Sequence, residues 1–157
     1  MPPRPDLPPH PLPADKDLVL KVIPMPADVN ANGDIFGGWV MAQVDLAGSV
    51  LPSRIGQRLV TVAVNEFIFK QPVRVGDILS FYSSVRRVGR TSVTVDVEVY
   101  AERFHDQGRF VKVTEALLTY VAIDSEGKPQ ALPENAQIAA WRQAIQRNAD
   151  SALASKA

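Results

Sequence analysis

The chain contains no cysteine, which excludes disulfides, thiolate metal sites and a cysteine nucleophile together. Its two histidines, His10 and His105, lie far apart in the sequence, so a metal site built on imidazoles is not expected. Charge of one sign is not in excess either: 17 Lys and Arg balance 17 Asp and Glu. A protein that grips nucleic acid through its phosphates needs a basic surplus, so no nucleic-acid partner is expected. No apolar run approaches the ~18–20 residues of a membrane span, so no membrane partner is expected. The first residues hold no continuous apolar stretch of the kind that directs secretion, and a cytoplasmic protein is the expectation. No G-x-S-x-G elbow is present, so serine hydrolysis has no support. Any chemistry must rest on carboxylates, amides, hydroxyls and backbone groups.

What remains is a chain of 157 residues, 46% hydrophobic and 22% charged, the balance of one folded domain. Residues 1–16 read as a Pro-rich flexible tail, because seven of the 13 prolines fall within residues 1–13 and proline runs favour an extended, unpaired backbone. Residues 17–132 read as the folded domain. Its first strand is expected over Leu18–Met25, closed by Pro24 and Pro26. The loop ADVNANGDIFGG has turn chemistry throughout. WVMAQVDLAGSVLPSRIG, residues 39–56, reads as a helix that ends near Pro52 and Gly56. It is apolar almost all round, which predicts a buried central helix.

Four strand patterns follow: Leu59–Phe69, Ile78–Val88, Thr91–Phe104 and Val111–Ile123. In the third, Val93, Val95, Val97 and Val99 alternate with Thr94, Asp96, Glu98 and Tyr100, so one face is buried and the other meets water or a partner. Residues 133–157 read as a C-terminal helix opened by Pro133, with Ile138, Trp141 and Ile145 as its apolar stripe and a frayed end from about residue 148. The fold class is therefore α+β: a long helix wrapped by an antiparallel sheet of about five strands, plus a terminal helix. One such sheet leaves an exposed edge, which edge-to-edge dimerisation would cover.

Three groups of residues are candidates for chemistry. Asp45 stands in a helix with very few polar positions, where an ionised carboxylate is costly unless paired or hydrogen-bonded. It is either a structural hydrogen-bond acceptor or a reactive acid. Gly37 and Gly38 open the helix; their N–H groups and the helix dipole could stabilise an oxyanion, or their small size could serve packing. Gly38 and Asp45 are seven residues apart, on about the same face and about 10 Å apart along the axis. Asp34 could cap the helix or form an Asx-turn, or serve the reaction. Asn30 and Asn32 read first as turn residues, with Asn32 also able to bond substrate. The turn RRVGRTS gathers Arg86, Arg87 and Arg90 around Gly89, followed by Thr91 and Ser92. Arginine suits phosphate, although a solvated hairpin end has the same look.

MPADVNANGDIFGGWVMAQVDLAG, VTVAVNEFIFKQPVRVGDIL and SVRRVGRTSVTVDVEVY together resemble the hotdog-fold acyl-CoA thioesterases of the YciA type, over roughly residues 18–135. The most specific element is NGDIFGGW with an Asp seven residues after its last Gly. The resemblance implies a hydrolase that releases free CoA and a carboxylic acid. CoA then enters as part of the substrate, with no metal and no separate cofactor. It implies a homodimer whose sheets join edge to edge, often assembled as a trimer of dimers, a hexamer. It implies a composite site, with Asp45 of one chain as base or nucleophile and Asp34 from the other, and with CoA on Arg87, Gly89, Arg90, Thr91 and Ser92; on the spacing above, water activated by Asp45 would attack a carbonyl held at the Gly37–Gly38 start of the same helix. The acyl chain would enter a tunnel between subunits near Phe67 and Phe69. In one place the chain departs from the pattern. Asn65 stands where relatives often carry an acid, and Lys70 is separated from Pro72 by Gln71, which puts a nucleotide-binding role for Lys70 in doubt. Dehydratases of the same fold use a catalytic histidine, and neither His10 nor His105 is placed for it. A non-catalytic acyl-CoA-binding module is the alternative.

Overall fold

A computed structural model describes residues 10–157. The elements run in the order β1 (Asp17–Val22), α1 (Gly37–Ser53), β2 (Leu59–Phe69), β3 (Ile78–Val88), β4 (Ser92–Glu102), β5 (Phe110–Ala122) and α2 (Ala136–Ala154), with one 3-10 turn at Pro26–Asp28. The strands form a single sheet in the order β1-β3-β4-β5-β2, and every neighbouring pair is antiparallel.

The valine alternation in β4 builds the core. Val93, Val95, Val97 and Val99 are fully buried, and α1 presses Val40, Val44, Ala47, Gly48 and Leu51 toward the inner face they share. The helix is not buried all round, as its composition led us to expect. Its far side leaves Met41 42% and Leu46 58% exposed, because one sheet can cover only one side of a helix. The apolar residues on that side have no cover within one chain.

The outer face carries a ladder of alternating charge. Lys70 pairs with Glu115, Glu115 with Lys112, Lys112 with Glu98, Lys16 with Asp96, and Asp96 with Arg86. Opposite charges on adjacent strands hold register where no core forms. Tyr100, expected to face water or a partner, is instead 4% exposed. Its hydroxyl donates to Glu98 at 2.6 Å, and the His10 ring meets it edge-on. The His10 N–H also donates to the Phe110 carbonyl at 2.7 Å. Residues 10–16, which the sequence assigned to a flexible tail, therefore lie on the sheet. The rest of that segment, residues 1–9, is outside the described residues.

Two ends differ from expectation for local reasons. Strand β1 stops at Val22, where its pairing with Leu79 reaches the start of β3. Helix α2 starts at Ala136 rather than at Pro133, because the Asn135 side chain accepts from the Ile138 N–H and fixes the cap. It then continues to Ala154, past the point where fraying was expected.

Candidate active site

The loop before α1 is a tight hairpin closed by Asn30. Its side-chain oxygen accepts from the N–H groups of Asn32 (2.9 Å) and Asp34 (3.2 Å). Gly33 takes the left-handed conformation the turn requires, at φ 83°. Asn30 is thus a turn residue, and Asn32 is exposed beside it. Asp34 does not cap the helix. The N-cap is Phe36, which has no side-chain acceptor, and the Asp34 carboxylate has no hydrogen bond or ion pair among the described residues.

An uncapped helix start leaves N–H donors unpaired. Gly37 and Gly38 supply the first two, and they differ in role. A Cβ on Gly37 would stand 3.1 Å from the Phe69 ring, whereas one on Gly38 would meet nothing within 4 Å. Gly37 therefore packs against Phe69 with its N–H unpaired among the described residues, and Gly38 faces open space. Beside them is a cleft of about 330 Å³ lined by Asp34, Ile35, Gly37, Val40, Phe69 and Pro72 among others. Its floor is apolar and its rim carries Asp34. Phe69 lines its β2 side, and the Phe67 ring lies beside Phe69, tilted, with ring centroids 4.8 Å apart.

The far wall is pinned by a buried ion pair. Arg103 donates to Asp77 and to the Pro72 carbonyl, and Asp77 also accepts from the Arg74 N–H. Burial pushes the Asp77 carboxyl up and the Arg103 guanidinium down, while their pairing opposes both shifts. Removing one partner strands the other charge. Asp77→Ala is expected to cost about 3–5 kcal/mol, read as a lower midpoint in urea unfolding. A loss under about 1 kcal/mol would mean that water already reaches the pair.

Asp45 lies eight residues beyond Gly37, about 12 Å along the axis. Two hydroxyls hold it: Thr61 Oγ1 donates to Oδ1 at 2.8 Å, and Tyr120 donates to the same oxygen at 3.1 Å and to the Asp45 carbonyl at 2.8 Å. Thr61 and Tyr120 are register partners on β2 and β5, so both point at the helix. Burial, then the Asp45 charge, keeps the Tyr120 hydroxyl protonated well above the usual phenol range. Sequence reasoning missed both. The available signal was Gly48, a glycine inside a helix one turn from the only acid there, which marks a close approach.

The CoA candidates gather elsewhere. Arg87, Gly89, Arg90, Thr91 and Ser92 form the β3–β4 hairpin, about 30 Å along β3 from its start near the cleft. Arg87 and Arg90 are exposed with no acidic partner among the described residues, whereas Arg86 pairs with Asp96 at 3.1 Å. A Cβ on Gly89 would meet Ser92 Oγ at 2.7 Å, so a side chain there would turn the Ser92 hydroxyl aside. Asn65 accepts from Thr119 at 2.7 Å, and Lys70 is committed to Glu115 at 3.1 Å. Among the described residues no group of three or more His, Asp or Glu side chains could hold a metal, and no helix is long and apolar enough to cross a membrane.

A family model described as the thioesterase superfamily matches residues 32–103, the span from the Asn30 hairpin to Arg103. The acyl-CoA thioester hydrolase YciA of Escherichia coli is 49% identical over 120 residues, covering 74% of this chain and 91% of that protein. This chain belongs to the YciA-type hotdog-fold acyl-CoA thioesterases. Among solved structures of such thioesterases, an aspartate-to-alanine mutant of HI0827, a hexameric broad-specificity acyl-coenzyme A thioesterase, superposes with a TM-score of 0.78 at 38% identity. The match covers 83% of this chain and 98% of that one. The hexameric thioesterase y2039 of Yersinia pestis gives 0.73 at 43% identity, over 79% of this chain and all of its own. The YciA-type assignment matches the five-stranded sheet and central helix described above.

Proposed function

We propose that this chain hydrolyses acyl-CoA to a carboxylic acid and free CoA, at a site shared by two copies. The observation that carries the reading is the Asp45 carboxylate, held by two hydroxyls while standing too far from its own helix start to share a substrate with it. A second copy resolves the distance. Strand β2 is an open edge, with Val60, Val62, Val64 and Ile68 each at least 37% exposed. It lacks the lysines and prolines that usually block such edges. Thr61 and Phe69 each lie four residues from Asn65. Antiparallel pairing about a two-fold axis there sets Thr61 opposite the partner's Phe69. Asp45 then faces the partner's Gly37, the partner's Gly38 and the partner's Asp34. The same pairing brings the β3–β4 hairpin, which lies at the start of β2, toward the partner's cleft at the end of β2. Arg87 and Arg90 are then placed for CoA phosphates.

In this site Asp45 takes a proton from water as the oxygen attacks the thioester carbon. The N–H groups of the partner's Gly37 and the partner's Gly38 stabilise the oxyanion. Collapse of the tetrahedral intermediate expels CoA thiolate, which takes up the proton. Asp34 orients the water or the thioester. The acyl chain follows the apolar cleft beside Phe67 and Phe69. No cofactor is called for, since CoA belongs to the substrate. The homodimer is the functional unit, and we place three of them in a hexamer, the state named for HI0827 and y2039.

Thiol release from a panel of acyl-CoAs of increasing chain length tests the reading. Turnover of at least part of the panel is expected, with loss of CoA affinity in Arg87→Ala and Arg90→Ala. Binding of CoA with no turnover anywhere on the panel would overturn it in favour of a non-catalytic acyl-CoA-binding module.

A further inference from the structure

Tyr120 is 2% exposed and sits on β5 with its ring in the core. A phenylalanine would fill the same volume, so the hydroxyl has to be explained by what it touches. It touches one residue twice, reaching the Asp45 carbonyl at 2.8 Å and Asp45 Oδ1 at 3.1 Å. That approach needs a gap in the helix surface, and Gly48 makes it: a Cβ there would lie 2.6 Å from the Tyr120 oxygen. Glycine inside a helix costs about 1 kcal/mol against alanine. The helix therefore gives up stability where the hydroxyl must enter. Thr61 supplies the second donor to Oδ1, and Oδ2 accepts no hydrogen bond among the described residues.

We propose that Tyr120 is a positioning residue for the reaction, admitted by Gly48, which fixes the Asp45 side chain so that Oδ1 is tied down and Oδ2 is presented to water. The proposal rests on the reading of Asp45 as the base. Bridging the backbone and the carboxylate of one residue restricts both side-chain torsions, which a single bond from Thr61 at an exposed strand edge does not. Placement at this level matters because a displacement of about 1 Å at a reacting group can cost about 100-fold in rate.

Tyr120→Phe keeps the ring and removes only the hydroxyl. It is expected to lower kcat about 10- to 100-fold with KM within about two-fold. Gly48→Ala, which pushes the hydroxyl away, should reproduce that split. In an Asp45→Asn background Tyr120→Phe should bring no further loss, because the residue it acts through is already disabled. An unchanged kcat in Tyr120→Phe, a loss carried mainly by KM, or an equal further loss in the Asp45→Asn background would overturn the proposal. Where the Asp45→Asn background is too slow to read, the kcat against KM split of the two single variants decides. The two readings fail separately: full activity in Asp45→Asn removes the base itself, whereas an inactive Asp45→Asn beside a fully active Tyr120→Phe removes only the positioning role.

Discussion

Asp45→Ala is expected to lower kcat for acyl-CoA hydrolysis by about 10³-fold, within the range by which general-base groups contribute. That is about 4 kcal/mol of barrier. The loss should appear in turnover and not in folding, for reasons visible around the residue. Tyr120, the buried donor, keeps the Asp45 backbone carbonyl as an acceptor at 2.8 Å when the side chain is gone. The Thr61 hydroxyl faces the site and regains water there. No buried polar group is left without a partner, so circular dichroism and the thermal midpoint should stay close to those of the parent. Asp45→Asn sharpens the result. An amide oxygen still accepts from Thr61 and Tyr120 but cannot take a proton, so a base role predicts that Asn is nearly as slow as Ala. An Asn variant at close to full rate would show that Asp45 only holds the two hydroxyls.

The central part of this fold was legible because its punctuation is local. β2 and β3 were read at the residues where they occur, and the turn at Gly76-Asp77 separates them with Gly76 at φ 91°. The buried face of β4 followed from four valines at a spacing of two. What the sequence could not show were limits set by partners. β1 stops where β3 begins, and α2 starts where one asparagine can reach back to an amide. The uniform apolarity of α1 was misleading in a specific way. Val40 and Val44 face the sheet, whereas Met41 and Leu46 belong to a surface that one chain does not cover. Composition registers the sum of both faces and cannot divide them.

A single acid in an apolar helix and a glycine pair at its start stand out within a short window; in the structure Gly38 faces open space and Asp45 is half-buried under two hydroxyls. Thr61 and Tyr120 are 16 and 75 residues from Asp45, and only the register of β2 on β5 joins them. Asp34 and the Arg87–Ser92 turn were singled out for their chemistry, but one chain keeps them at opposite ends of the sheet. The carboxylate lies in the middle of the helix, the cleft at one end of the sheet and the arginines at the other. These separations bear directly on how the parts can work together.

Two variants that are each inactive should therefore restore activity when mixed. Asp45→Ala retains Asp34 and the helix start; Asp34→Ala retains Asp45. If each site takes Asp45 from one copy and Asp34 from the other, a mixed dimer holds one site with both carboxylates and one with neither. Random exchange makes half of the dimers mixed, and half of their sites are whole, so about one quarter of the parent activity should return. A site contained in one chain has no whole copy in the mixture and predicts no recovery above the sum of the separate variants. The subunits must exchange, which refolding the two chains together from denaturant ensures. The same assembly would cover the bare edge of β2. Val62→Lys should place a charge in the paired edge, split the dimer on size-exclusion chromatography, and remove activity although Asp45, Thr61 and Tyr120 remain intact. A split dimer that stays fully active, or a mixture that recovers nothing, would return all of the chemistry to a single chain. The axial separation of Asp45 and Gly37 along one helix, about 12 Å, argues against that outcome.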